Sequence, residues 1–232
     1  MYCRAIACDF DGTGATDGLL APELSAALEA ARIKGIVTVL ATGRVLEDVQ
    51  AACGNFSPFD AVVAENGGVI WLCDLKRTIQ IGRPPPDHLL GERRSACIPF
   101  HTEAVMIGTG DRQAVQILEL IRRFGVDRQL SFNRKGLMLV PVGVNKAVGV
   151  RRALEELGRS ERNLIAFGEA ENDVPLLLAA EVGIARAVRC SPFAALADER
   201  LSQPAGAGVA LYRNGSTTSL ALAAKNPMTV AN

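Results

Sequence analysis

The 232-residue sequence has no net charge: 25 lysines and arginines balance 25 aspartates and glutamates. No overall field therefore favours nucleic acid or an anionic membrane surface as a partner. Aromatic residues make up only 5%, which also disfavours a stacking platform for single-stranded nucleic acid. The six cysteines (Cys3, Cys8, Cys53, Cys73, Cys97 and Cys190) include no C-x-x-C pair. That spacing argues against a zinc knuckle or a redox dithiol and fits buried, reduced thiols. Arg4 and Asp9 interrupt the first apolar run, so it does not read as a signal peptide. No stretch reaches the roughly 18 uncharged apolar residues that span a bilayer. A cytoplasmic protein is expected, with no nucleic-acid or membrane partner, as a monomer or homodimer. Internal repeats and low-complexity segments are also missing. The basic pairs Arg93-Arg94, Arg122-Arg123 and Arg151-Arg152 are too short to be more than solvated faces.

What is present supports a sizeable core: 49% of residues are hydrophobic and 22% charged. The first 80 or so residues alternate short β-type runs with helical periods. Strands are expected at 3–8, 36–40 and 61–64, with helices opening at Pro22 and over 44–53. A hairpin extension is expected over 69–81. Continuous apolar strands alternating with helices imply a parallel sheet covered on both faces. Gly82-Arg83-Pro84-Pro85-Pro86 then reads as a stiff linker. Beyond it the spacing predicts a strand near 104–108, a helix over 111–124 and strands at 128–133 and 137–142. Asn133-Arg134-Lys135-Gly136 joins the last two as a hairpin. The core pattern resumes with a helix over 146–158, a strand at 163–167, a helix over 172–180 and a strand at 182–185. The economical fold is an α/β, Rossmann-like parallel-sheet core, residues 1–81 and 146–232, with an α+β cap inserted at 82–145.

Four loops follow core strands or open core helices. After the first strand, Asp9-Phe10-Asp11-Gly12-Thr13 places two carboxylates on one side of an extended chain. They repel unless a cation, a proton or a polar shell intervenes, so the pair is either a metal or catalytic site or a solvated helix-capping turn. Thr42-Gly43-Arg44 is either an anion seat at a helix N-terminus or an N-cap turn. Asn66-Gly67 reads first as a tight turn. Lys146 opens a helix, where the macrodipole disfavours a cation, so it either meets an anion or reaches solvent. Glu169, Glu171 and Asp173 crowd three carboxylates into five residues. They either gather around a hard cation such as magnesium or form an acidic turn. Arg134 and Lys135, in the hairpin turn, read as exposed or as reaching a second anionic group.

Taken in order, these loops resemble the haloacid dehalogenase superfamily of hydrolases. The nearest likeness is to its Cof-type, sucrose-phosphatase-like branch (subfamily IIB), which carries an α+β cap between the second and third motifs. Asp9-Phe10-Asp11-Gly12-Thr13 matches the D-x-D-G-T motif, and Thr42-Gly43-Arg44 the second. Lys146 matches the third, and Gly168-Glu169-Ala170-Glu171-Asn172-Asp173 the fourth, of G-D-x-x-N-D type.

The resemblance implies a Mg2+-dependent phosphomonoesterase acting on a small phosphorylated metabolite, a sugar phosphate or phosphoglycolate-like compound. Asp9 would be the nucleophile that forms an aspartyl-phosphate, and Asp11 the acid/base. Thr42, Gly43 and Lys146 would hold the phosphoryl oxygens, with Arg44, Asn66 and Asn172 near the substrate. Asp9, Asp11 (through its backbone carbonyl), Glu169 and Asp173 would hold Mg2+. Two residues depart from the family pattern. Glu169 stands where the fourth motif normally has Asp, one methylene longer, and Gly14 stands where a bulky apolar residue commonly follows the threonine. Rival readings are a phosphotransferase or phosphosugar mutase of the same superfamily, or a weakened phospho-ligand-binding regulator.

Overall fold

The computed structural model describes residues 3–16, 18–54, 56–95, 98–99, 101–186 and 196–201. Cys97, Cys190 and the segment 202–232 lie outside the described residues. Among those described, Cys8, Cys53 and Cys73 are free thiols. No described helix is long and apolar enough to cross a membrane.

The first strand, β1 (Ala5–Asp9), is buried along its whole length. It lies between two parallel neighbours, β4 (Val37–Ala41) and β12 (Leu164–Gly168). Parallel pairing continues to β5 (Ala61–Ala64) on one side, and to β13 (Val182–Arg186) and β14 (Glu199–Leu201) on the other. The hairpin β6 (Val69–Leu72) and β7 (Arg77–Gln80) adds two antiparallel edge strands and completes an eight-stranded sheet. Period-two alternation sorts its side chains into two cores. Ala5, Ala7, Val39 and Ala61 pack with α5 (Lys146–Glu156) and α6 (Val174–Ala179). Ile6, Cys8, Leu40 and Val62 pack beneath α1 (Pro22–Ile33). A short hairpin, β2 (Ala15–Thr16) and β3 (Leu19–Leu20), follows β1, and α2 (Leu46–Cys53) follows β4.

Between β7 and α5 the chain builds the cap. Helix α3 (Asp87–Ser95) precedes β8 (His101–Thr102), β9 (Ile107–Gly110), α4 (Ala114–Phe124), β10 (Arg128–Asn133) and β11 (Gly136–Pro141). The strands form a second, antiparallel sheet in the order β10-β11-β9-β8. The 133–136 turn closes the expected hairpin in register, with Asn133 opposite Gly136.

Some boundaries differ from the sequence reading, each for a local reason. The strand expected at 104–108 begins only at Ile107, because the Glu65 carboxylate accepts the amide N–H groups of Ala104, Val105 and Met106. Those donors are then unavailable to a ladder. The helix expected over 172–180 opens as a 3-10 turn, Glu171–Asp173. There the Asp173 carboxylate accepts the N–H groups of Glu169 and Ala170. The helix expected at 111–124 likewise starts with a 3-10 turn, Asp111–Gln113.

Candidate active site

The buried polar residues of the core gather at the C-terminal edge of the parallel strands, where open α/β sheets bind ligands. Asp9 ends β1 and is almost fully buried. Lys146, the first residue of α5, is 1% exposed. Its ammonium donates to Asp9 Oδ1 at 2.6 Å and to Asp173 Oδ1 at 2.5 Å. Close packing explains why an N-terminal lysine reaches so far in. A Cβ on Gly149, one turn along, would lie 2.8 Å from the Gly67 Cα, so only glycine lets α5 approach the end of β5. Asn145 caps the helix by accepting the Val148 N–H.

Two buried carboxylates sharing one ammonium leave an excess negative charge. Burial and the Asp173 charge push the Asp9 carboxyl up to about 8, against the opposing pull of Lys146. Burial alone would lower the Lys146 pKa, but Asp173 and Asp9 outweigh it and hold it above its ordinary value.

Around this triad lie the other predicted residues. Asp11 is partly exposed and takes the Arg44 guanidinium on both oxygens, at 2.9 and 2.5 Å. Arg44 also stacks on Phe10, 5.0 Å from the ring centroid. Thr42 is fully buried, and its hydroxyl accepts the Arg44 N–H at 3.1 Å. Gly43 lies beneath the cap strand β11: a Cβ there would sit 3.1 Å from the Met138 sulfur. Asn172 donates to Asn66 Oδ1, and Asn66 donates to Ser131 Oγ in the cap. Thr13 Oγ1 and Asn172 Oδ1 are buried with no hydrogen-bond partner among the described residues.

The proposed metal ligands are less tightly assembled. No three histidine, cysteine, aspartate or glutamate side chains among the described residues converge on one point. Asp173 already has both oxygens engaged. The buried Glu169 carboxylate pairs instead with Arg134 from the cap turn. It also lies against Gly12, where any Cβ would collide with it. The donors that could move together (Asp9, the Asp11 backbone, Glu169 and Asp173) are all hard oxygens, the type magnesium takes. In chemistry, the set fits that ion.

Two residues gain roles that the sequence reading did not assign. Glu65, in the left-handed region at φ 48°, ties the cap entry to the core through the three amides named above. Its only sequence signal is an acid placed directly after a wholly apolar strand. Arg134, also left-handed at φ 54°, sends its side chain to Glu169 while its backbone N–H donates to Glu171. The longer side chain at 169 thus meets a cap cation.

A family model described as haloacid dehalogenase-like hydrolase matches residues 6–81 and 102–210. The phosphoglycolate phosphatase of Methanothermobacter thermautotrophicus is 31% identical over 214 residues, covering 89% of this chain and 96% of that protein. Among solved structures, a haloacid dehalogenase-like hydrolase from Bacteroides thetaiotaomicron superposes with a TM-score of 0.75 at 18% identity, covering 92% of this chain and 99% of its own. A HAD subclass IIB sugar phosphatase superposes at 0.74 with 16% identity, covering 91% and 99%.

Proposed function

The chain belongs to the haloacid dehalogenase-like hydrolases, and from that premise we propose a Mg2+-dependent phosphomonoesterase that acts on a small phosphorylated metabolite in the cytoplasm. Phosphatase chemistry follows from the family and from relatives named phosphoglycolate phosphatase. The observation that carries the mechanism is the buried lysine joining Asp9 to Asp173 at the strand ends.

Lys146 takes Asp9 Oδ1, which leaves Oδ2 to attack. Of the three ammonium donors two are engaged, so one remains for a phosphoryl oxygen. Thr42 accepts from Arg44 through its hydroxyl oxygen, and its own O–H can donate to the same group. Asp9 Oδ2 would bond to phosphorus as the ester P–O bond breaks. The departing oxygen keeps the electron pair and takes a proton from Asp11. Asp11, now ionised, would take a proton from the water that attacks phosphorus, releasing inorganic phosphate and the free Asp9 carboxylate. Asp9, the Asp11 backbone carbonyl, Glu169 and Asp173 would hold Mg2+, which neutralises charge between nucleophile and phosphate and favours ionised Asp9. Residues 82–145 would act as the cap that covers this site.

Acid quenching during turnover of an aryl phosphate tests the reading. We expect Mg2+-dependent phosphate release and a trapped, base-labile phosphoenzyme that Asp9→Asn lacks. Release that persists in Asp9→Asn would sink the mechanism.

A further inference from the structure

Lys146 and Arg134 both neutralise buried carboxylates of the site, but they differ in freedom. The Lys146 side chain is 1% exposed and is enclosed with Asp9 and Asp173. The Arg134 side chain is 62% exposed, yet its guanidinium reaches the Glu169 carboxylate, which is only 1% exposed. A buried carboxylate is costly without a cation, and that cost ties it to whichever cation is within reach. Lys146 is held inside the core. Arg134 can turn out into water by rotation of its side chain.

The contact also depends on where the two residues stand. The Glu169 carboxylate lies against Gly12 of the first loop, where any Cβ would collide with it, and there it accepts from Arg134. The cap turn is fastened to the same acidic loop a second time, by the Arg134 N–H to Glu171 Oε2 at 3.1 Å. Arg134 has φ 54°, a conformation that favours glycine or asparagine. The turn itself therefore gives no reason for arginine; the contact with the core does.

We propose that Arg134 is a latch: it competes with Mg2+ for the Glu169 carboxylate and holds the cap turn on the acidic loop until the metal takes its place. The proposal rests on the Mg2+ reading above. Mg2+ demands a near-octahedral set of oxygens. A guanidinium on Glu169 occupies one of those oxygens and sets a positive charge beside the ion. By linkage, the latch weakens metal binding by the same factor as the metal weakens the latch. Metal loading thus frees the tip of the β10–β11 hairpin, so that the cap opens for substrate over a loaded site.

Isothermal titration of Mg2+ into the full chain reads the competition without turnover. Arg134→Gln should lower the Mg2+ Kd about fivefold, the scale of one ion pair with an exposed partner. Lys135→Gln removes the same charge from the same turn but leaves the Arg134–Glu169 pair in place, and screening should keep its Kd within about twofold of wild type. In wild type, saturating Mg2+ should speed trypsin cleavage after Arg134 about fivefold, by reciprocity. An unchanged or raised Kd in Arg134→Gln, an equal gain in Lys135→Gln, or cleavage unmoved by Mg2+ would overturn the latch while sparing the Mg2+ reading. Failure of the wild type to bind Mg2+ would overturn both.

Discussion

The core and the cap are both sheets carrying helices, yet they differ in what their faces carry. In β1 every residue is enclosed, with one core on each side. Polar chemistry can leave such a sheet only at its ends, so Asp9, Thr42 and Asp173 collect at one edge. The cap sheet packs a purely apolar core on one face, while its other face mixes the buried Met138 and Val140 with His101, Ser131, Asn133 and three glycines. At Gly108 this face can change without disturbing a core. On the proposed reading, reaction chemistry belongs to the enclosed sheet and substrate selection to the mixed face of the cap.

Substitutions can break this comparison. The largest effect is expected for Asp9→Asn, which should lower kcat by roughly 10,000-fold or more, the scale of removing a nucleophile; phosphate release in single-turnover assays would measure it. A loss under about a hundredfold would move the chemistry away from the core edge. Lys146→Ala should follow, leaving two buried carboxylates without their cation. About 3–5 kcal/mol of stability should go, read by urea denaturation of the metal-free protein. Glu65→Ala comes next. It strips three cap amides of a charged acceptor and should cost about 1.5–3 kcal/mol, with faster hydrogen exchange at Ala104, Val105 and Met106 as its local signature.

The same change made in both regions sharpens the contrast most directly. Gly149→Ala forces a Cβ against Val63 and Gly67 in the core and should cost about 1–3 kcal/mol. Gly108→Ala meets open space in the cap and should stay within about 0.5 kcal/mol of wild type. Equal costs in thermal melts would mean that the cap face is as tightly packed as the core.

The apolar runs at 3–8, 36–40 and 61–64 could be read as strands because both faces of each are buried, so no alternation obscures them. The turn at 133–136 was equally readable from its residues. Positions such as Lys146 could not be decided by pattern. A lysine at a helix start reaches solvent or an anion with equal ease, until Gly149 and Gly67 bring α5 against the sheet. Glu65 and Arg134 escaped because their partners lie 40 and 35 residues away. Neither propensity nor period carries that information.

By itself, then, the sequence determined the order of elements, the insertion between them and the four polar loops. Those follow from local periodicity and from carboxylates that an apolar strand does not need. Tertiary structure alone decided which charges pair: Lys146 with Asp9 and Asp173, Arg44 with Asp11, Arg134 with Glu169. It also decided that the cap turns its glycine face to the site. Pairing energies depend on distance and burial, and both are set only once the two sheets have closed on each other.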